Sequence, residues 1–309
     1  MKILLILVLI VALILVVSRK PVINKMAYSV GGYSELKKQD GKWSGIPKII
    51  IKTSWQKRDS MPQQIIDALE TTIRLNPGYT LYYFDNDDVD LFMKDFSQHV
   101  YDCYEKLVPG AFKADLFRVC FLYRYGGCYS DIGHVPLVGF DEICENADIV
   151  LVSDQNITQL PFMDYKNTFS GIHNALMCSV PAHPFFEKVI EKTISNITNE
   201  YYGESPLDIT GPIMIGKVFN CYFGNVCNYV NENRLVYGIT KYNCDKCAVK
   251  MLKFVSKPLK RTDTFYITDT DDKELVQTKF DNYYYVMYTS KKTPRYGKLW
   301  DQKKVFKKK

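Results

Sequence analysis

The chain has 309 residues, nearly half of them apolar and 14% aromatic, which excludes a disordered protein and is enough to bury a large core. Its formal charge of +6 is modest and gathers in the SRK at 18–20 and the terminal KKVFKKK. That distribution selects no nucleic-acid function, and no zinc-finger spacing or RNA-binding aromatic signature points to one.

The first residues, MKILLILVLIVALILVVSRK, hold an unbroken apolar run from Ile3 to Val17. At ~1.5 Å per helical residue it spans somewhat less than the ~30 Å hydrocarbon core, so Lys2 and Arg19 must snorkel or the bilayer must thin. A cleaved signal peptide is the competing reading. LVVSRK lacks the small-x-small pattern of a cleavage site, which favours an uncleaved single-pass anchor over residues 1–20. Basic residues are more numerous after the run (Arg19, Lys20, Lys25) than before it (Lys2), and taken alone this leaves the body in the cytosol.

Residues 21–45 have mixed polar and glycine content with no sustained period and read as a stem; the folded body is expected over 46–309. IPKIIIKTSW is the pattern of a strand buried on both faces. MPQQIIDALETTIRLNPG predicts a helix stopped at Asn76-Pro77-Gly78. YTLYYFD reads as a second strand, and DNDDVDLFMKDF opens a second helix with carboxylates in its first turn, where they favour the helix dipole. Strand, helix, strand, helix implies a parallel sheet with crossovers. GAFKADLFRVCFLYRYGG reads as a helix from near Phe112 to a left-handed glycine cap at Gly126. CYSDI is then a short strand, DIVLVSD a longer buried one, and PAHPFFEKVIEKTISNIT an amphipathic helix. Beyond residue 250, TFYITD and NYYYVMYT read as short β segments closing a single body.

Cys103, Cys120, Cys128, Cys144 and Cys178 lie in apolar contexts and read as buried thiols. Cys221, Cys227, Cys244 and Cys247 crowd together, and disulfides, a structural zinc site and free thiols all stay open. The sequons at Asn156 and Asn196 tilt slightly toward an oxidising lumen.

Asp115 and Arg118 lie three apart on one helix face, within the apolar LFRVCFLY. A surface ion pair there is worth little, whereas a buried pair needs a partner such as a nucleotide to satisfy it. CYSDIG delivers Asp131 to the carboxyl end of a strand, where ligands bind in open α/β sheets. A metal-bridged diphosphate needs a hard oxygen ligand in such a place; otherwise Asp131 merely caps a turn. A hydrolase using Asp115 with Asp131 is disfavoured, because Arg118 would keep Asp115 ionised and a poor proton donor.

IPKIIIKTSW, NPGYTLYYFDNDD and ADLFRVCFLYRYGGCYSDI together resemble the glycosyltransferases whose sugar-binding region contains a DXD motif. That family includes initiating α-1,6-mannosyltransferases and inositol phosphorylceramide mannosyltransferases. FSGIHNALMCSVPAHPFF, ITGP and YGKLWDQKKVF extend the resemblance over most of 46–306. It implies a GT-A-type fold, a mostly parallel sheet flanked by helices. It also implies a nucleotide diphosphate sugar donor, a glycan or glycolipid acceptor, a divalent metal (Mn²⁺ or Mg²⁺) and retention of anomeric configuration. Carried over residue by residue, Thr53 and Trp55 lie near the nucleotide, and Asp115 and Arg118 contact the donor's ribose or sugar. Gly126 and Gly127 let the backbone pass closely, and Tyr129 and Asp131 begin the DXD element. Asn174 and Thr210-Gly211-Pro212 face the transferred sugar and the acceptor. Asp131, Asp115 and Arg118 are the expected catalytic residues. The setting implied is membrane-bound with a lumenal, Golgi- or ER-like body, against the flanking charges.

The sequence departs from the family at the second acid of DXD, which falls on Gly133. Three readings stay open. Asp131 holds the metal with help from His134 or Asp154; the site works without metal, using Arg118 and lysines for the diphosphate; or the chain is an inactive sugar- or lipid-binding relative. His173 is as readily a loop histidine as a site residue.

Overall fold

The computed structural model describes residues 30–37, 44–154, 171–227, 238–241, 247–256, 265–288 and 294–308. Strand β1 (Ile49–Thr53) pairs in parallel with β2 (Thr80–Phe84), and helix α1 (Gln63–Leu75) crosses between them. Alternate residues of these strands enter different cores: Ile49, Ile51, Tyr82 and Phe84 on one face, Ile50, Leu81 and Tyr83 on the other. Burial on both faces is why the strands read as continuous apolar runs. Helix α1 ends where expected, because Asn76 Nδ2 donates to the Thr72 carbonyl at 2.7 Å while its Oδ1 accepts from Phe140 N at 2.6 Å. Asp85 caps α2 (Asn86–Phe96) through the amides of Asp87 and Asp88.

After α3 (Gln98–Lys106) comes α4 (Gly110–Tyr125), the central helix, with Phe112, Leu116, Phe117, Phe121 and Leu122 buried. It ends at Gly126 with φ +64° and ψ −148°. This is not the left-handed helical cap expected, but an extended mirror conformation in which a side chain would strain the backbone. Gly127 also has positive φ, and a Cβ there would stand 2.7 Å from the Ile49 carbonyl oxygen.

Strand β3 (Gly127–Ser130) then joins β1 in parallel, followed by β4 (Val135–Pro136), α5 (Phe140–Cys144), β5 (Ile149–Ser153), β6 (Leu176–Ser179), α6 (Pro184–Thr198) and α7 (Pro212–Cys227). The chain continues through β7 (Gly238–Lys241), β8 (Ala248–Ser256), β9 (Phe265–Thr268) and β10 (Glu274–Gln277) to α8 (Tyr283–Tyr288) and α9 (Tyr296–Asp301). One ten-stranded sheet runs β2-β1-β3-β6-β5-β8-β9-β10-β4, with β7 beside β8.

Several expectations are corrected here. The sheet is mixed rather than mostly parallel: only β1–β2, β1–β3 and β5–β8 are parallel among the described pairs, while β6 runs antiparallel between β3 and β5. The pairs β7–β8, β8–β9, β9–β10 and β10–β4 are antiparallel as well. NYYYVMYT forms helix α8, not a strand. Its tyrosines favour β structure intrinsically, yet they are set four apart, so Met287 is buried one turn from Tyr283 and the rings of Tyr284 and Tyr288 stack at 6.0 Å.

Asn196 is buried and donates to the Ile209 carbonyl at 2.9 Å, so its sequon offers no accessible acceptor; Asn156 lies outside the described residues. Within the expected stem, Gly31 bridges to Tyr82, and Tyr33 and Leu36 are buried against the body. Cys103, Cys120, Cys128 and Cys178 are buried and Cys144 half-buried, as expected. Pairing among the later cysteines lies outside the described residues, since Cys244 and the Cys227 side chain do. No helix among the described residues is long and apolar enough to cross a membrane, and the run at 3–17 lies outside them.

Candidate active site

Strands β1, β2, β3 and β5 point the same way, so one edge of the sheet collects Trp55 after β1, Asp131 after β3 and Asp154 after β5. Asn174 and His173 reach that edge from the opposite direction, just before antiparallel β6. The topology therefore builds a crevice at strand ends from residues more than a hundred positions apart.

At its floor lies a polar network on the α4 side. Asp115 is buried, and its Oδ1 accepts from Asn174 Nδ2 at 2.9 Å while its Oδ2 accepts from Thr210 Oγ1 at 2.8 Å. The Arg118 guanidinium stands between two carboxylates, 3.4 Å from Asp115 Oδ1 and 3.4 Å from Asp131 Oδ1. It donates to the Asn174 carbonyl at 2.7 Å and lies 4.5 Å from the centre of the Tyr129 ring. The Tyr129 hydroxyl donates to Asp131 Oδ1 at 2.7 Å.

Burial outweighs the stabilisation of the Asp115 carboxylate by Arg118, Thr210 and Asn174, pushing its pKa up to about 6. Arg118 is the largest of the influences that favour the Asp115 carboxylate, and burial opposes it. Asp131 differs: its side chain keeps 36% exposure, and with Oδ1 taken by Tyr129 and Arg118, its Oδ2 is the oxygen left for a ligand.

A second set lies on the other side of the sheet. Lys52 is buried, and its ammonium donates to the carbonyls of Asp131 at 3.0 Å and His134 at 3.1 Å and to Ser130 Oγ at 3.3 Å. It thereby pins the turn carrying Asp131, and burial pulls its pKa down to about 7 against the pull of Asp131. His134 is buried with Nδ1 3.2 Å from Ser130 Oγ, and burial, reinforced by Lys52, His173 and Arg118, holds it neutral. The His173 ring stacks on Phe254 at 4.1 Å, its Nδ1 is 3.8 Å from Asp154 Oδ2, and its buried Nε2 has no hydrogen-bond partner among the described residues.

Gly133 is covered. A Cβ there would stand 2.6 Å from the Tyr283 ring and 3.2 Å from the Thr278 carbonyl oxygen, so α8 occupies the space where a second acid would project.

The structure thus brings Asp115, Arg118, Tyr129, Asp131, Asn174 and Thr210 into one network. Gly211 packs beside it, since a Cβ would lie 3.5 Å from Asp115 Oδ2, and Pro212 opens α7 with its carbonyl accepting from Ile172 N at 3.0 Å. Thr53 spends its hydroxyl on the Phe84 carbonyl at 2.8 Å. Trp55 packs against the same core as Tyr283, with a buried Nε1 that has no partner among the described residues. Sequence reasoning missed Lys52 and Tyr283. A lysine ending an isoleucine run was the available signal for the first; nothing local marks the second, which arrives from 150 residues downstream.

Among the described residues, no three His, Cys, Asp or Glu donors converge at this edge. Asp154 faces His173 and His134 faces Ser130, so among the described residues the exposed carboxylate oxygen a divalent ion would meet is that of Asp131. That fits an Mg²⁺- or Mn²⁺-type ion only if diphosphate and water complete its shell, as such ions accept.

Residues 62–177 match the family described as the glycosyltransferase sugar-binding region containing DXD motif. The chain is 30% identical over 179 residues to mannosyl phosphorylinositol ceramide synthase CSH1 of Saccharomyces cerevisiae, covering 57% of this chain and 43% of that protein. It is 25% identical over 226 residues to uncharacterized glycosyltransferase L373 of Acanthamoeba polyphaga mimivirus, covering 68% and 83%. It is 30% identical over 95 residues to the initiation-specific alpha-1,6-mannosyltransferase of Candida albicans, covering 30% and 25%. The chain thus spans less than half the length of these two yeast relatives. The resemblance read from the sequence is borne out over the matched segment, which carries Asp115, Arg118, Tyr129, Asp131 and Asn174.

Proposed function

We propose, on the premise that residues 62–177 form a glycosyltransferase sugar-binding region, that this chain transfers a hexose from a nucleotide diphosphate sugar to a hydroxyl of a glycan or glycolipid. Mannose is the sugar favoured by the names of two relatives. The observation that carries the reading is Arg118 set between Asp115 and Asp131 at the strand ends, with only Asp131 opening to the crevice.

In this reading Trp55 Nε1 and Thr53 lie toward the nucleotide, and Arg118 and Asp115 fix the donor side of the cleft. Asn174 and Thr210-Gly211-Pro212 border the sugar and acceptor. Asp131 Oδ2 would hold a divalent ion, which would supply positive charge toward the departing diphosphate. Preorganised charge at that leaving group and a fixed donor geometry are the large terms in such a transfer. No side chain among the described residues stands out as a nucleophile, and in this reading the acceptor hydroxyl attacks C1 on the face the diphosphate leaves. Its oxygen forms the new bond as the C1–phosphate oxygen bond breaks, and its proton passes to the departing phosphate. The apolar run at 3–17 would anchor the enzyme beside a glycolipid acceptor.

The test is a panel of nucleotide sugars offered to the full chain in detergent, with Mn²⁺ or with chelator, reading nucleoside diphosphate release and transfer to glycolipid and glycan acceptors. Turnover of one donor, dependent on Asp131, is expected. A properly folded chain that turns over none of them overturns the proposal.

A further inference from the structure

On the face of the sheet opposite Tyr129, three cysteines from three elements meet. Cys128 of β3 and Cys178 of β6 face each other directly across the antiparallel pair, and Cys144 ends α5 over them. The Sγ atoms of Cys128 and Cys144 are 3.5 Å apart, and all three sulfurs lie within 4.8 Å of one another. This is the one such convergence of metal-ligating side chains among the described residues.

An ion held by thiolates at about 2.3 Å places its sulfurs ~3.8 to 4.0 Å apart, whether tetrahedral or trigonal. The 3.5 Å pair lies slightly inside that value and the other two pairs are held within 4.8 Å, so small side-chain adjustments close the site. Two ligands stand on a rigid sheet, which holds them better than loops would. Cys144 is half-buried and lines a cavity of about 510 Å³ that also touches Lys48, Tyr79 and Asp141, which gives an ion and a water ligand a way in. Lys250 acts electrostatically on both Cys144 and Cys178, and its positive charge offsets that of the thiolates.

We propose that Cys128, Cys144 and Cys178 bind one soft metal ion, of the Zn²⁺ or Cu⁺ class that thiolates select, at a site separate from the donor crevice. Each sulfur gives its proton to solvent on coordination. The ion cross-links β3, β6 and α5 beneath the strand that carries Asp131.

The full chain, reduced and stripped of metal, is titrated with Co²⁺ and then with Zn²⁺. A thiolate-to-cobalt charge-transfer band saturating at one equivalent and displaced by Zn²⁺ is expected, together with a rise in Tm on Zn²⁺ addition. Cys144→Ser, at the rim, and Cys178→Ser, with folding checked by circular dichroism, should each abolish the band. A variant with serine at Cys221, Cys227, Cys244 and Cys247 should keep it. Absence of the band in the reduced chain, its loss in that last variant, its survival in both single variants, or a disulfide at Cys128 found by peptide mapping would each overturn the proposal.

Discussion

Asp131 shares Oδ1 with the Tyr129 hydroxyl and the Arg118 guanidinium and is the acid of the network that keeps substantial exposure. Asp131→Ala is therefore expected to lower transfer and donor hydrolysis by roughly 10²–10³-fold, the scale for losing one preorganised charge contact, with Tm nearly unchanged. Wild-type rates in that variant would remove Asp131 from the site. Asp115 sets a pH limb. Its folded pKa, about 6, is above the ordinary 3.8, so folding favours its protonated form. That contribution is full below 3.8 and is lost as pH rises through about 6; at 1.36 kcal/mol per pH unit it amounts to on the order of 3 kcal/mol. Turnover should rise through the same pH as the carboxylate needed to orient Asn174 and Thr210 forms, and Asp115→Asn should erase the limb while lowering the rate. A pH profile of kcat/KM for both proteins decides this. At Gly133 an acid meets the Tyr283 ring, so Gly133→Asp should cost about 1–3 kcal/mol in urea unfolding and lose activity with or without Mn²⁺. Adding Tyr283→Ala should recover part of that stability; a stable, more metal-dependent Gly133→Asp protein would mean that the glycine is not held there by packing.

At the scale of elements, the turn from α4 into β3 aims Asp131. Two successive glycines with positive φ let the chain pass beneath the Ile49 and Ser179 carbonyls. Gly127→Ala combines a positive φ that side chains rarely adopt with a 2.7 Å contact and should cost about 2 kcal/mol or more, on the order of several degrees in thermal unfolding. The early elements were legible because each carries its own signal: isoleucine runs for β1, Asp85 before α2, Asn76-Pro77-Gly78 after α1. α8 was not, since six residues rich in tyrosine satisfy the composition of a strand, and only the packing of buried Met287 and half-buried Tyr283 against the core selects the helix. Lys52 was passed over for a like reason. Its role exists only because the turn after β3 offers it two carbonyls and a hydroxyl.

At the scale of the whole molecule, the apolar run at 3–17 and the folded body make separate demands. Membranes carrying the full chain should retain it through alkaline carbonate extraction, and removal of residues 1–25 should release it to the supernatant; extraction of the full chain would show that the run does not anchor it. The sequence by itself determined the α/β class and the order of the first elements, which rest on local periodicity and capping, and it carried the family resemblance that links Asp115, Arg118 and Asp131. The tertiary structure decided what depends on distant segments meeting. It made the sheet mixed, buried Asp115 enough to raise its pKa, placed Tyr283 over Gly133, and drew Cys128, Cys144 and Cys178 into one cluster. Burial and long-range contact are properties of packing, and no local pattern of residues encodes which remote side chain will fill a given space.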